Sequence, residues 1–192
     1  RSSQPCGLYR LNEEIGVPNK ILEDYLVDKH AKFNWAEKVG FIEWAGGFNT
    51  GLWKECLMSL VFRGSLNRSY GSIYKSIQAT YFGNYEIIDT VFEIFKIEVQ
   101  PFIQVIKGWY AALPAYLNKH SRNTQYGKIF TNACGLKLNL GSKEAKKLNS
   151  VTAFMLQGME AAMIHHLVLL GKEYGYRTLS HEHDGIVTIG TV

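Results

Sequence analysis

Tyr176-Arg177-Thr178-Leu179-Ser180-His181-Glu182-His183-Asp184-Gly185-Ile186-Val187-Thr188-Ile189 reads as two strands around a tight turn. Apolar and β-branched residues alternate with polar ones on either side, and Asp-Gly between such runs is among the strongest short hairpin signals. The expectation is a strand over Tyr176–His181, a turn at Asp184-Gly185 and a returning strand over Ile186–Ile189. An Asp fixed on that turn between two buried strands presents its carboxylate rigidly, as a metal ion requires. A plain hairpin uses the same turn chemistry. What separates the two readings is the tip: His181, Glu182, His183 and Asp184 are costly together in a buried hairpin unless they are exposed or used.

Immediately upstream, Ser142 to Gly171 gives the clearest helix signal. Ser142 and Glu144 open it with Lys143, Lys146 and Lys147, and the apolar residues from Val151 to Leu170 predict burial on nearly all sides. Gln157-Gly158 sits inside, followed by Ala161 and Ala162. Small residues there admit another backbone or a nucleic acid, and the Gln157 amide can address a base or sugar edge or be satisfied within a core. His165 and His166 point about 100° apart on a helix, so they read first as surface or hydrogen-bonded core residues and only in principle as metal ligands. His181 and His183 alternate along one strand, so with Asp184 they also fit part of a mononuclear metal site lacking a further ligand.

Toward the N-terminus the spacing predicts a helix over Asn19–Lys38, a loop around Trp44 between Gly40 and Gly51, and a second helix over Leu52–Arg63. Arg63, Arg68 and Tyr70 then fall at helical spacing, two cations and a ring that suit a triphosphate and a base or, equally, a solvated helix face with a packed tyrosine. A segment over Ile73–Tyr81, a turn at Gly83-Asn84 and an apolar stretch over Tyr85–Val99 follow, interrupted by Pro101. A helix over Phe102–Tyr116 is expected to bend or end near Pro114. Tyr126–Leu140 predicts a short hairpin turning at Asn132–Gly135.

The 192 residues, 46% hydrophobic and 13% aromatic, suffice for one substantial core. A net charge of +4 suits a phosphate-bearing partner without requiring one. Cys6, Cys56 and Cys134 are widely spaced and odd in number, which indicates neither a disulfide framework nor a zinc ribbon and suits a reducing compartment. His165 and His166 interrupt the longest apolar run, so no membrane span is expected. Arg1 is not a methionine and Val192 falls within an alternating apolar run, so a segment of a larger protein is expected.

The order of these signals resembles that of the family A DNA polymerases, of the polymerase I type. Ser2-Ser3-Gln4-Pro5 is similar to the part of motif A that follows its metal-binding Asp. Arg63 to Gly71, ending Arg68-Ser69-Tyr70-Gly71, resembles the nucleotide-binding helix of motif B. Gly127-Lys128-Ile129-Phe130-Thr131 with Gly135-Leu136-Lys137 resembles the segment that contacts primer and template. Ala153-Phe154-Met155-Leu156-Gln157-Gly158 resembles the helix that touches the minor groove, and His183-Asp184 matches motif C, with Gly185 where the family has Glu.

The resemblance implies an α+β fold. One incomplete polymerase domain spans 1–192, with mainly helical fingers over about 19–125 and a right-hand palm, an antiparallel sheet with helices, from about 1–18 and 126–192. It implies template-directed transfer of deoxynucleotides from dNTP to a primer 3′ end by two Mg²⁺ ions. Asp184, beside His183, would be one metal carboxylate and the second would lie just upstream of Arg1. Arg63, Arg68, Tyr70, Gly71 and Gln4 would bind nucleotide, and Gln157, Gly158, Thr131, Lys137 and Lys128 would bind primer–template DNA. A processivity or helicase partner is an open expectation. A cytoplasmic setting in a bacterial or phage-infected cell, or an organelle, would follow, and the isolated segment would be inactive. The alternatives are a catalytically degenerate DNA-binding relative, a single-subunit RNA polymerase relative and a metal hydrolase on His181, His183 and Asp184.

Overall fold

The computed structural model describes residues 3–43, 45–82, 84–182 and 185–190. Along the chain run α1 (Ser3–Ile15), α2 (Lys20–Val27), α3 (Ala31–Val39), α4 (Thr50–Val61), α5 (Ser72–Thr80), α6 (Tyr85–Glu98) and α7 (Gln100–His120). Then come β1 (Ser121–Thr124), β2 (Gly127–Thr131), β3 (Lys137–Asn139), α8 (Leu148–Tyr174), β4 (Tyr176–Glu182) and β5 (Gly185–Gly190). Among the described residues helices dominate and the strands pair antiparallel, in one three-stranded and one two-stranded sheet, a mixed arrangement compatible with the α+β class. It divides into two compact units, Arg1–Ala112 and Leu113–Val192.

Among its described residues the first unit is helical, apart from an isolated bridge between Ile42 and Phe48, around an aromatic core. In α4, Leu52, Trp53, Cys56, Leu57, Leu60 and Val61 are buried at the i, i+4 spacing that gives a helix one apolar face. In α6, Ile88, Val91, Phe92 and Phe95 do the same. Trp53 stacks on Trp35 at a centroid distance of 5.1 Å and meets Phe102 and Phe95 edge-on. Its indole Nε1 donates to the Tyr25 hydroxyl at 3.3 Å, satisfying the polar atom of a fully buried ring. Asn49 and Asn84 cap α4 and α6 by accepting from the amides of Leu52 and Ile87.

Three expectations for this unit change. The helix predicted over Asn19–Lys38 is broken into α2 and α3, because Asp28 accepts from the His30 amide and from Asn34 Nδ2, both at 2.8 Å, and a local side-chain turn outcompetes the helical ladder. Pro101 falls within the first turn of α7, where its missing N–H costs nothing, after Val99 has capped α6. Pro114 does not end α7, which continues to His120.

In the second unit β2 pairs with both β1 and β3. The predicted hairpin is present as β2 and β3, with β1 added on the other edge. Phe130, the buried residue of β2, packs against Tyr116 and Phe154. Helix α8 starts at Leu148 instead of Ser142, since Ser142 to Lys147 form turns in which the Ser142 hydroxyl accepts from the Ala145 amide. It ends at Gly175 in the left-handed conformation, φ 74°. The antiparallel strands β4 and β5 follow, with a bulge between Thr178 and Ser180.

Burial of α8 on nearly all sides is not observed. Val151, Thr152, Met155, Leu156 and Gly158 are buried in its first half, but only Ile164 and Gly171 beyond, and Met163, Val168 and Leu169 are exposed. Nor are the described side chains of β4 and β5 buried. Leu179, Val187 and Ile189 are about half exposed or more, because a single helix can cover only one side of a two-stranded sheet. Contrary to the expectation, α8 is long and apolar enough, by length and composition, to cross a membrane, as core helices also can be.

Candidate functional site

Residues 62–71 join α4 to α5 as a built loop, not a helix, so the helical spacing expected of Arg63, Arg68 and Tyr70 is corrected. Arg63 follows the α4 cap with φ 62°, a left-handed conformation unusual outside glycine. Its guanidinium lies 5.1 Å from the Tyr110 ring centroid, and the Tyr110 hydroxyl donates to the Val61 carbonyl at 2.9 Å. Asn67 Oδ1 accepts from the amides of Ser69 and Tyr70 and so shapes the turn. A side chain at Gly71 would place its Cβ 2.3 Å from the carbonyls of Asn67 and Ser65, so only glycine lets the loop close.

Arg68 is held by Asp89 on α6. Its Nε donates to Oδ1 at 3.0 Å, Nη2 pairs with Oδ2, and the Tyr74 hydroxyl adds a bond to Oδ1 at 2.9 Å. The Arg68 hydrogen bond, with help from Tyr74, holds the Asp89 carboxyl below its ordinary range. Tyr70 stands 68% exposed at the far side of this turn. Gln4 sits in the first turn of α1, half-buried.

In the second unit the sequence candidates separate by strand geometry. Opposed residues in an antiparallel pair share a face and successive residues alternate. The register therefore puts Arg122, Ile129, Thr131, Lys137 and Asn139 on one face, and Asn123, Lys128, Phe130 and Leu138 on the other. Lys128 is not grouped with Thr131 and Lys137; its ammonium bonds the Asn118 side chain on α7. Arg122, which no motif suggested, takes its place. Residues 113–147 carry seven Lys and Arg against one Glu, more positive charge than the +4 of the whole chain.

Gln157 is exposed on α8, while Gly158 is buried. A Cβ at Gly158 would lie 2.3 Å from Asn132 Nδ2 and 2.8 Å from Asn132 Cβ, so the close approach that this glycine permits is made by the β2–β3 loop. Asn132 Nδ2 donates to the Phe154 carbonyl at 3.0 Å, and its Oδ1 accepts from the Leu136 amide at 3.0 Å. The alternation of the strand and the turn that follows it carried that signal, since Asn132 is the first residue past β2 on the Phe130 side.

His183 and Asp184 lie outside the described residues, between the paired positions Glu182 and Gly185. Among the described residues no group of three or more His, Cys, Asp or Glu side chains could hold a metal ion. His165 and His166 are exposed. The Cys56 thiol is pushed up by burial, first, and by Glu55, which keeps it protonated and unreactive. Comparison with known proteins finds no matching family model and no curated protein or solved structure with significant similarity.

Proposed function

We propose that the chain is the palm and fingers portion of a family A-type DNA polymerase, which adds deoxynucleotides from dNTP to a primer 3′ end on a DNA template. The observation that carries this reading is an order of elements: α8, with exposed Gln157 and buried Gly158, ends at Gly175 and feeds directly into an antiparallel pair whose connection is His183-Asp184. Thr131, Lys137 and Arg122 on one sheet face supply cations and a hydroxyl for backbone phosphates. Arg63 and Tyr70 on the loop before α5 suit a triphosphate and a base. Asp184 is the candidate Mg²⁺ carboxylate, where the ion would neutralise the charge of the triphosphate. The cytoplasm of a bacterial or phage-infected cell, or an organelle, is where such an enzyme would work.

One observation favours the catalytically degenerate relative. Arg68, one of two cations expected on the triphosphate, is engaged by Asp89 and Tyr74. Primer extension with the complete protein, Mg²⁺ and dNTPs separates the two: the polymerase extends the primer, whereas the degenerate relative binds primer–template DNA and leaves it unextended.

A further inference from the structure

Thr131, Lys137 and Gln157 come from two strands and a helix, and a single buried amide touches the chain beside each of them. Asn132 directly follows Thr131 and is 7% exposed. Its Oδ1 accepts from the amide of Leu136, the residue before Lys137, and from Cys134 Sγ at 3.2 Å. Its Nδ2 donates to Phe154 on α8, and the side chain rests against Gly158, the residue after Gln157, where a methyl group would collide with it. Both polar atoms of Asn132 are thus used inside the protein, and its contacts reach Leu136 and Gly158, the chain neighbours of exposed Lys137 and Gln157.

We propose that Asn132 is a positioning residue for nucleic acid: it pins the β2–β3 loop to α8 so that Thr131, Lys137 and Gln157 meet one duplex together. This rests on the nucleic-acid reading above and adds the residue that sets its geometry. A hydroxyl and an ammonium suit phosphate oxygens, and an amide suits a base or sugar edge. Each contact is weak alone. Their joint strength depends on arriving pre-aligned, without a loop to order on binding.

The test is duplex DNA with a recessed 3′ end, titrated into the complete protein and its Gln157→Ala, Asn132→Ala, Gly158→Ala and Asn132→Ala/Gln157→Ala variants, with thermal melting to confirm folding. Gln157→Ala is expected to weaken binding about tenfold in the wild-type background, the scale of one or two lost hydrogen bonds. With Asn132 replaced, affinity is already reduced and Gln157→Ala costs less than about twofold more. Gly158→Ala, which keeps the Asn132 amide but pushes it off α8, gives the same loss and serves if Asn132→Ala fails to fold. Undiminished duplex affinity in the folded Asn132 or Gly158 variants, or an equal Gln157→Ala effect in both backgrounds, overturns the assignment while leaving the nucleic-acid reading standing. No duplex affinity in the wild type overturns both.

Discussion

Arg68 and Asp89 face each other through a two-point ion pair, with the Arg68 Nε–H donating to Oδ1 at 3.0 Å and Nη2 meeting Oδ2, so the loop before α5 is tied to α6. Tyr74 shares the carboxylate, and its ring packs edge-on against buried Phe92 at 4.9 Å. A planar guanidinium on a carboxylate holds its orientation better than an ammonium would. Through this tie the exposed Tyr70 gains a fixed base.

The Asp89 carboxyl, held low by Arg68, contributes stability that is present above its unfolded value and lost as pH falls through the lower folded one. Carboxyl chemical shifts followed by NMR should place the Asp89 midpoint below 3.8, and Arg68→Ala should return it upward. A midpoint at or above 3.8 in the wild type would contradict the ion pair.

If Arg68 anchors the loop and does not itself bind phosphate, Arg68→Ala and Asp89→Asn act in the same direction. Both should raise the KM for dNTP by a few-fold with little change in kcat, the pattern of lost binding. A lower KM in Asp89→Asn would mean that the freed guanidinium binds triphosphate, the role its sequence position suggests.

Arg63 offers a variant that separates folding from binding. Its left-handed backbone costs about 1–2 kcal/mol for an L residue, against about 0.5–1 kcal/mol from an exposed guanidinium over the ring of buried Tyr110. Denaturant unfolding of Arg63→Gly is therefore expected to match wild type within about 1 kcal/mol, or to show modest gain. Loss of dNTP binding in this stable variant would assign the cation to the triphosphate; unchanged binding would remove Arg63 from the site.

The positive charge over residues 113–147 makes a prediction about salt. Each phosphate contact removed should reduce the salt slope of duplex affinity by about one. Arg122→Ala and Lys137→Ala, on the same sheet face, are each expected to do so, and Lys128→Ala, on the other face and bonded to Asn118, to do less. Equal slopes for all three variants would contradict the division of the sheet.

Much of the second unit was legible before its structure. Asp-Gly between alternating strands marked β4 and β5, and Gly135 after Asn132 marked the β2–β3 turn. What escaped had physical causes. Ser121-Arg122-Asn123-Thr124 has no apolar alternation, because β1 is an edge strand with almost nothing buried, so neither the strand nor Arg122 stood out. The all-round apolar composition of α8 carries no periodicity from which an exposed half could be told from a buried one. Arg63, Arg68 and Tyr70 fit a helical repeat, yet Gly64, the Asn67 turn and Gly71 decide that segment. Asp28 likewise divides a continuous apolar pattern through one side chain. The Asn132 contact with Gly158 joins residues far apart in sequence, and only the fold could reveal it.

The most direct measurement is Mg²⁺-dependent primer extension by the complete protein and its Asp184→Ala variant, with duplex affinity measured alongside. The account predicts extension by the wild type, and loss of extension with unchanged duplex affinity in Asp184→Ala. Extension that survives Asp184→Ala, or its absence in the wild type, would contradict it.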